Sequence, residues 1–216
     1  MSPIIEPGAA LPTIPQPSKI ERFGQVQKIV FQRRTKDDNT PNKFIKVSAD
    51  PKEKASWTPL LAAVDDTKVT PTPFISEPEN EPGEARTYGG GNATLNGIPL
   101  ILGKEPSPFT CKLLESTQDV SREIQKLMRE EGNLAVFLIN EHGQIGMLSD
   151  GKAQPEEYYP IPIHSFFITD KVLGGFEEPD SNEMQFMFAP NWSHNFVVIT
   201  PEDAFYPLHD IVHAAQ

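Results

Sequence analysis

The chain has 216 residues, a formal net charge of −11, one cysteine and 22 prolines. That length suits one domain with a substantial core. The acidity excludes a surface built to wrap nucleic acid, which needs clustered Lys and Arg, but it does not exclude DNA passing nearby. The single Cys111 excludes an internal disulfide framework. The opening residues Met1–Glu6 lack the basic region and apolar core of a signal peptide, and no apolar run reaches bilayer-spanning length. The expectation is an intracellularly made, soluble protein with no membrane partner.

Proline runs at about twice its average share of roughly 5%, and it is clustered. Five prolines fall within residues 1–17, and Pro71, Pro73, Pro78, Pro82, Pro99, Pro106 and Pro108 fall in or beside residues 76–109. Proline fixes φ and removes a donor, so both clusters favour extended chain. Residues 1–22 read as an extended arm with isolated anchors, among them Ile4, Leu11 and Ile14.

Gly24–Arg33 reads as a first strand, with Val26, Lys28, Val30 and Gln32 on one side and Gln27, Ile29 and Phe31 on the other. Asp37–Asn42 is a dense turn signal and Lys43–Ser48 resumes the strand, which predicts a hairpin. Lys28, Arg33, Arg34 and Lys36 read as a solvated or subunit-facing rim. Asp50, Pro51 and Glu53 fit a helix start, and Ala55, Leu60, Leu61 and Val64 continue it, with either a kink at Pro59 or a new start capped by Thr58. Lys68–Phe74 reads as an edge strand because Pro71 and Pro73 cannot donate to a ladder.

Residues 76–109 follow with no period of their own, far beyond the usual loop of roughly 4–6 residues. Ile98–Leu102 and Phe109–Leu114 read as returning strands, which makes Glu77–Pro108 a hairpin arm. Thr117 then caps a helix carrying Val120, Ile124, Leu127 and Met128 on one stripe, ended by Gly132. Leu134–Ile139 is a near-continuous apolar run, expected to be a central strand buried on both faces. Turns at Glu141–Gly143 and Ser149–Gly151 separate further strands at Gln144–Leu148 and Tyr158–Thr169. Glu183–Ala189 alternates with Met184, Phe186 and Phe188 on one face, and Asn195–Thr200 closes the pattern before a less patterned tail at 201–216.

The sum is a mainly β (α+β) fold: an antiparallel β-sandwich or barrel-like domain with two helices, a long hairpin arm and extended N- and C-terminal arms. The organisation is an arm at 1–22, an assembly domain at 23–200 and a tail at 201–216.

No constellation points to an enzyme or a cofactor. Gly89–Gly91 with Lys104 lacks P-loop spacing. His209-Asp210-x-x-His213 has no third ligand or general-base glutamate nearby. Cys111 among Phe109, Leu113 and Leu114 reads as a core residue. The acidic loop of Glu177, Glu178, Asp180 and Glu183 lacks calcium-loop spacing. Asn92-Ala93-Thr94 and Asn191-Trp192-Ser193 match the glycosylation pattern, but no secretory signal gives them meaning.

The order of strands, helix, long hairpin, second helix and closing strands resembles phage virion proteins of the tail-tube type. The stretches Glu84–Asn92, Gly174–Asn182 and Pro190–Ser193 strengthen the resemblance, which covers about residues 23–200; the proline-rich arms depart from it. The resemblance implies a homo-oligomeric ring, often hexameric, in contact with other virion proteins. Sheets would join side by side into a barrel, and the long hairpin would reach the adjacent ring. DNA would only pass through an acidic lumen. On this reading Arg86, Tyr88, Ile4, Leu11 and Ile14 are inter-subunit contacts, and Gly89, Gly90 and Gly91 allow close backbone approach. The alternatives are a capsid-decorating or connector protein, and a cellular carbohydrate- or peptide-binding module with a cleft of Tyr158, Tyr159 and Trp192.

Overall fold

The computed structural model describes residues 12–16, 22–152 and 156–212. Among them the protein is mainly β: one antiparallel sheet of 11 strands, a separate two-stranded sheet and three helices. The sheet does not close into a barrel.

Two strands with apolar residues on both sides lie at its centre, β1 (Val26–Arg33) and β8 (Leu134–Asn140), paired antiparallel along almost their whole length. Every residue of β8 is buried. The outer edge of β1 is taken by the short β3 (Val69–Pro71). The other edge of β8 is shared, and the sheet branches there. At Ala135 and Val136 β8 meets β11 (Ile161–Ile168), and beyond it follow β12 (Ser181–Phe188), β7 (Ser107–Leu114) and β4 (Ser76–Asn80). At Leu138 and Ile139 it meets β9 (Ile145–Ser149), flanked by β10 (Glu157–Tyr159) with β2 (Phe44–Ile45), and by β13 (Phe196–Ile199).

The alternation of a strand, applied to β8, generates two cores. Leu134, Val136 and Leu138 face a cluster with Ile29, Phe31, Phe109, Ile163 and Phe186, and Phe137 and Ile139 face a second with Val30, Phe44, Trp57 and Met147. Helix α2 (Gln118–Leu127) lids the first: the Thr117 hydroxyl accepts from Val120 N, Ile124 is buried, and Val120, Leu127 and Met128 pack beside it. Helix α1 (Lys54–Ala62) covers the second by packing Trp57 against both Phe44 and Phe137.

Several expectations change. β1 and β2 do not form a hairpin; β2 pairs only with β10. The Asp37–Asn42 turn exists, closed by a bridge from Thr35 to Pro41. However, a strand buried on both faces needs a full-length partner, and Lys46–Ser48 is an exposed turn that cannot supply one. α1 begins at Lys54, not at Pro51, and runs through Pro59 as one helix; Asp50 caps the preceding turn by accepting from Lys52 N. Val64 lies beyond the helix end and is exposed.

Lys28 is not on a rim. It is buried, with Nζ donating to the carbonyls of Leu208 (2.8 Å) and Ile211 (2.9 Å). Those carbonyls belong to the end of α3 (Pro207–Asp210), whose orphan acceptors a cation satisfies. Burial holds the Lys28 ammonium below its ordinary pKa. The C-terminal tail is thus docked, not extended, as far as it is described: Phe205 and Ile211 are buried in the second core.

Candidate assembly surface

The arm is built where the sheet runs out. β4 and β7 pair up to Asn80 and Phe109, and the ladder then narrows to single bonds: Glu81 N to Pro108 O, Gly83 N to Ser107 Oγ, and Glu105 N to Glu84 O. At Gly83 a Cβ would stand 2.0 Å from the Glu105 carbonyl oxygen, so only glycine fits the root. Beyond it β5 (Ala85–Tyr88) pairs with β6 (Leu100–Lys104), and, among the described residues, with nothing else.

The expected hairpin arm is therefore present, within Glu77–Pro108. At its tip Gly89, Gly90, Gly91, Asn96 and Gly97 all have positive φ. Gly90 N donates to Thr94 Oγ1, which in turn donates to the Ile98 carbonyl, folding the tip on itself. The three consecutive glycines are accounted for by this conformation alone, and Gly89 also packs its Cα side against the Thr94 methyl.

Every residue of β5 and β6 is exposed. Tyr88 stands opposite Leu100 on one face of the ribbon and Thr87 opposite Ile101 on the other. Ile98, Leu100, Ile101 and Leu102 are all more than half exposed, Ile101 at 75%. Arg86 is exposed, with Glu105 3.9 Å away as a loose ion pair. These apolar residues of β6 carry more of the surface than Arg86 and Tyr88, and sequence reading assigned them only as a strand. A ribbon solvated on both faces has no hydrophobic alternation to reveal it; the unbroken Leu100–Leu102 run between glycines was the available signal. Ile14 is 80% exposed, whereas Ile4 and Leu11 lie outside the described residues.

A second uncovered apolar surface lies at the other end of the β4–β7 pair. A groove of about 550 Å³ runs between the β3–β4 connection, α2 and α3. Its walls include Pro71, Phe74, Val120, Ile124, Leu208 and Val212. Phe74 is half exposed, and Lys28 Nζ lies 5.5 Å from its ring centre. Asp119 and Glu123 of α2 stand along the groove.

The other candidate chemistries separate. Tyr158 is buried in the second core and Trp192 stacks on Phe188 at 4.3 Å beside the first, so they form no common cleft. The Tyr159 hydroxyl is bonded to Glu157; desolvation first, then that bond, pushes it up to about 12. His209 lies on α3, and its expected partner His213 is outside the described residues. Among the described residues no three His, Cys, Asp or Glu side chains gather as metal ligands would.

Cys111 is 1% exposed, and burial pushes its thiol from 9.0 up to about 12, which removes the thiolate needed for nucleophilic attack. Ellman's reagent is expected to titrate no thiol in the native protein and one in denaturant. The unfolded chain releases this proton near pH 9, while the folded one keeps it to about 12. This thiol's contribution to stability is therefore complete below pH 9 and falls as pH rises through that window. Urea midpoints measured from pH 7 to pH 11 should fall less steeply in Cys111→Ala than in the wild type, the remaining fall coming from Tyr158 and Tyr159.

Compared with family models, curated proteins and solved structures, the chain matches none.

Proposed function

We propose that the chain is a structural subunit that self-assembles through the β5–β6 arm, as its resemblance to phage tail-tube proteins implies. The observation that carries this reading is the arm itself. An isolated two-stranded ribbon is at best marginally stable in water, yet this one exposes Tyr88, Ile98, Leu100, Ile101 and Leu102. Fully burying one such side chain contributes about 1.5–3 kcal/mol. Covering several on a neighbour supplies the driving force that the monomer leaves unused.

The sheet edge beside the arm is a poorer contact. β4 carries Glu77, Pro78 and Glu79, and charge and proline blunt an edge against further strand pairing. The net charge of −11 suits the wall of a channel through which DNA slides without sticking.

Light scattering and negative-stain microscopy of the purified chain test the proposal. Rings or stacked tubes are expected. Monomers alone at high concentration would overturn it.

A further inference from the structure

We propose that the groove between α2, the β3–β4 connection and α3 is the seat for the β5–β6 arm of a second copy. This assignment rests on the assembly reading above and gives that arm its acceptor.

Three observations converge. The first is position. Phe74 precedes β4 and Val120 follows β7, so the groove lies at one end of this strand pair, while Gly83 and Ser107 put the arm at the other. β7 has eight residues, and at about 3.3 Å per residue the two surfaces are separated by about 25 Å along the pair. A copy that offers its arm at one end and its groove at the other makes a head-to-tail contact, which repeats into rings or stacks.

The second is composition. The groove walls are apolar from three separate elements, and the arm exposes five apolar side chains, against the three of Val172, Leu173 and Phe176 in the connection between β11 and β12. The arm has apolar side chains on both faces, so one face can fill the groove while the other meets a further surface. The third is charge. Arg86 and Lys104 flank the arm's apolar run, Arg86 only loosely paired with Glu105 at 3.9 Å, and Asp119 and Glu123 flank the groove. The present partners of those carboxylates, Arg122 and Lys126, are exposed neighbours one turn along α2, in surface pairs weak enough to be exchanged.

The test is cross-linking in the full chain, whose own Cys111 is buried. A double variant with Phe74→Cys in the groove and Ile101→Cys on the arm is oxidised mildly and run on a denaturing gel. A ladder extending beyond the dimer is expected, because each copy carries one donor and one acceptor. Pairing Ile101→Cys with Val64→Cys, a fully exposed site outside the groove, should give no such ladder. Equal ladders from both pairs would overturn the assignment.

A second variant, Phe74→Asp, is expected to lose assembly while keeping its circular dichroism and melting temperature, since Phe74 is half exposed. If Phe74→Asp still assembles and no ladder forms, the groove is not the seat, and the assembly reading stands on the wild-type particles. If the wild-type chain forms no particles, both readings fall together.

Discussion

Replacing residues 85–104 with a two-residue Asn-Gly turn abolishes assembly and leaves the body folded. Glu105 N already donates to Glu84 O at 2.8 Å, so the two ends of the excised arm are held as a ladder pair. A two-residue turn closes such a pair without strain. No described residue of β5 or β6 is buried, and the ribbon pairs with no strand of the body. The removal therefore takes nothing from either core, and stability should change by no more than about 0.5 kcal/mol, the scale of surface substitutions.

Assembly responds on another scale. Losing the burial of even two of these side chains forfeits about 3–6 kcal/mol. Each 1.4 kcal/mol is tenfold in affinity, so the concentration needed for association rises by about two to four orders of magnitude. Thermal melts and light scattering on the same sample read the two effects separately. Particles that persist without the arm would place the contact elsewhere on the body. An unfolded variant would mean that the arm supports the core, contrary to its exposure.

Much of this fold was legible because strand alternation and strong helical periodicity are local. Met184, Phe186 and Phe188 fall on one buried face as their spacing requires, Leu134–Ile139 is buried on both faces, and α2 starts at its Thr117 cap. What failed was pairing. A sequence shows that β1 needs a neighbour but not which one, and proximity in the chain favoured Lys43–Ser48 over β8, a hundred residues away. Lys28 failed for a related reason. A lysine on a strand reads as a solvated face until the end of α3 arrives from the far end of the chain to accept its hydrogen bonds.

The arm was legible as an excursion because its length and glycines break the pattern, but its apolar content was undervalued. Periodicity detects burial within a chain. A surface reserved for another chain has no internal face to alternate against, and so reads as noise. The groove was invisible for the same reason as Lys28: its three walls come from residues 70–74, 119–124 and 208–212, which only the tertiary fold assembles.

Trp57→Ala should be the most damaging single substitution to the body, at about 3–5 kcal/mol for a buried tryptophan. For a chain of this size that corresponds to a fall in melting temperature of roughly 6–20 °C. The indole is 1% exposed and lies 4.8 Å from the Phe44 ring and 5.1 Å from that of Phe137, while Nε1 donates to Pro51 O at 2.9 Å. No other residue of α1 is fully buried, and only the partly buried Leu60 and Leu61 help Trp57 hold the helix over the second core. Trp57→Phe separates the two contributions. It keeps most of the apolar volume but leaves the Pro51 carbonyl without its donor, at a cost of about 1–3 kcal/mol. Urea midpoints for the two variants should therefore rank wild type, Phe, then Ala. Equal midpoints for wild type and Ala would mean that α1 does not hold the second core closed. The arm lies on β4 and β7, away from this core, so at temperatures where the Phe variant remains folded its assembly should match wild type. An assembly defect in that variant would point to α3, whose Leu208 packs on this core and walls the groove and whose Asp210 pairs with Lys54 of α1.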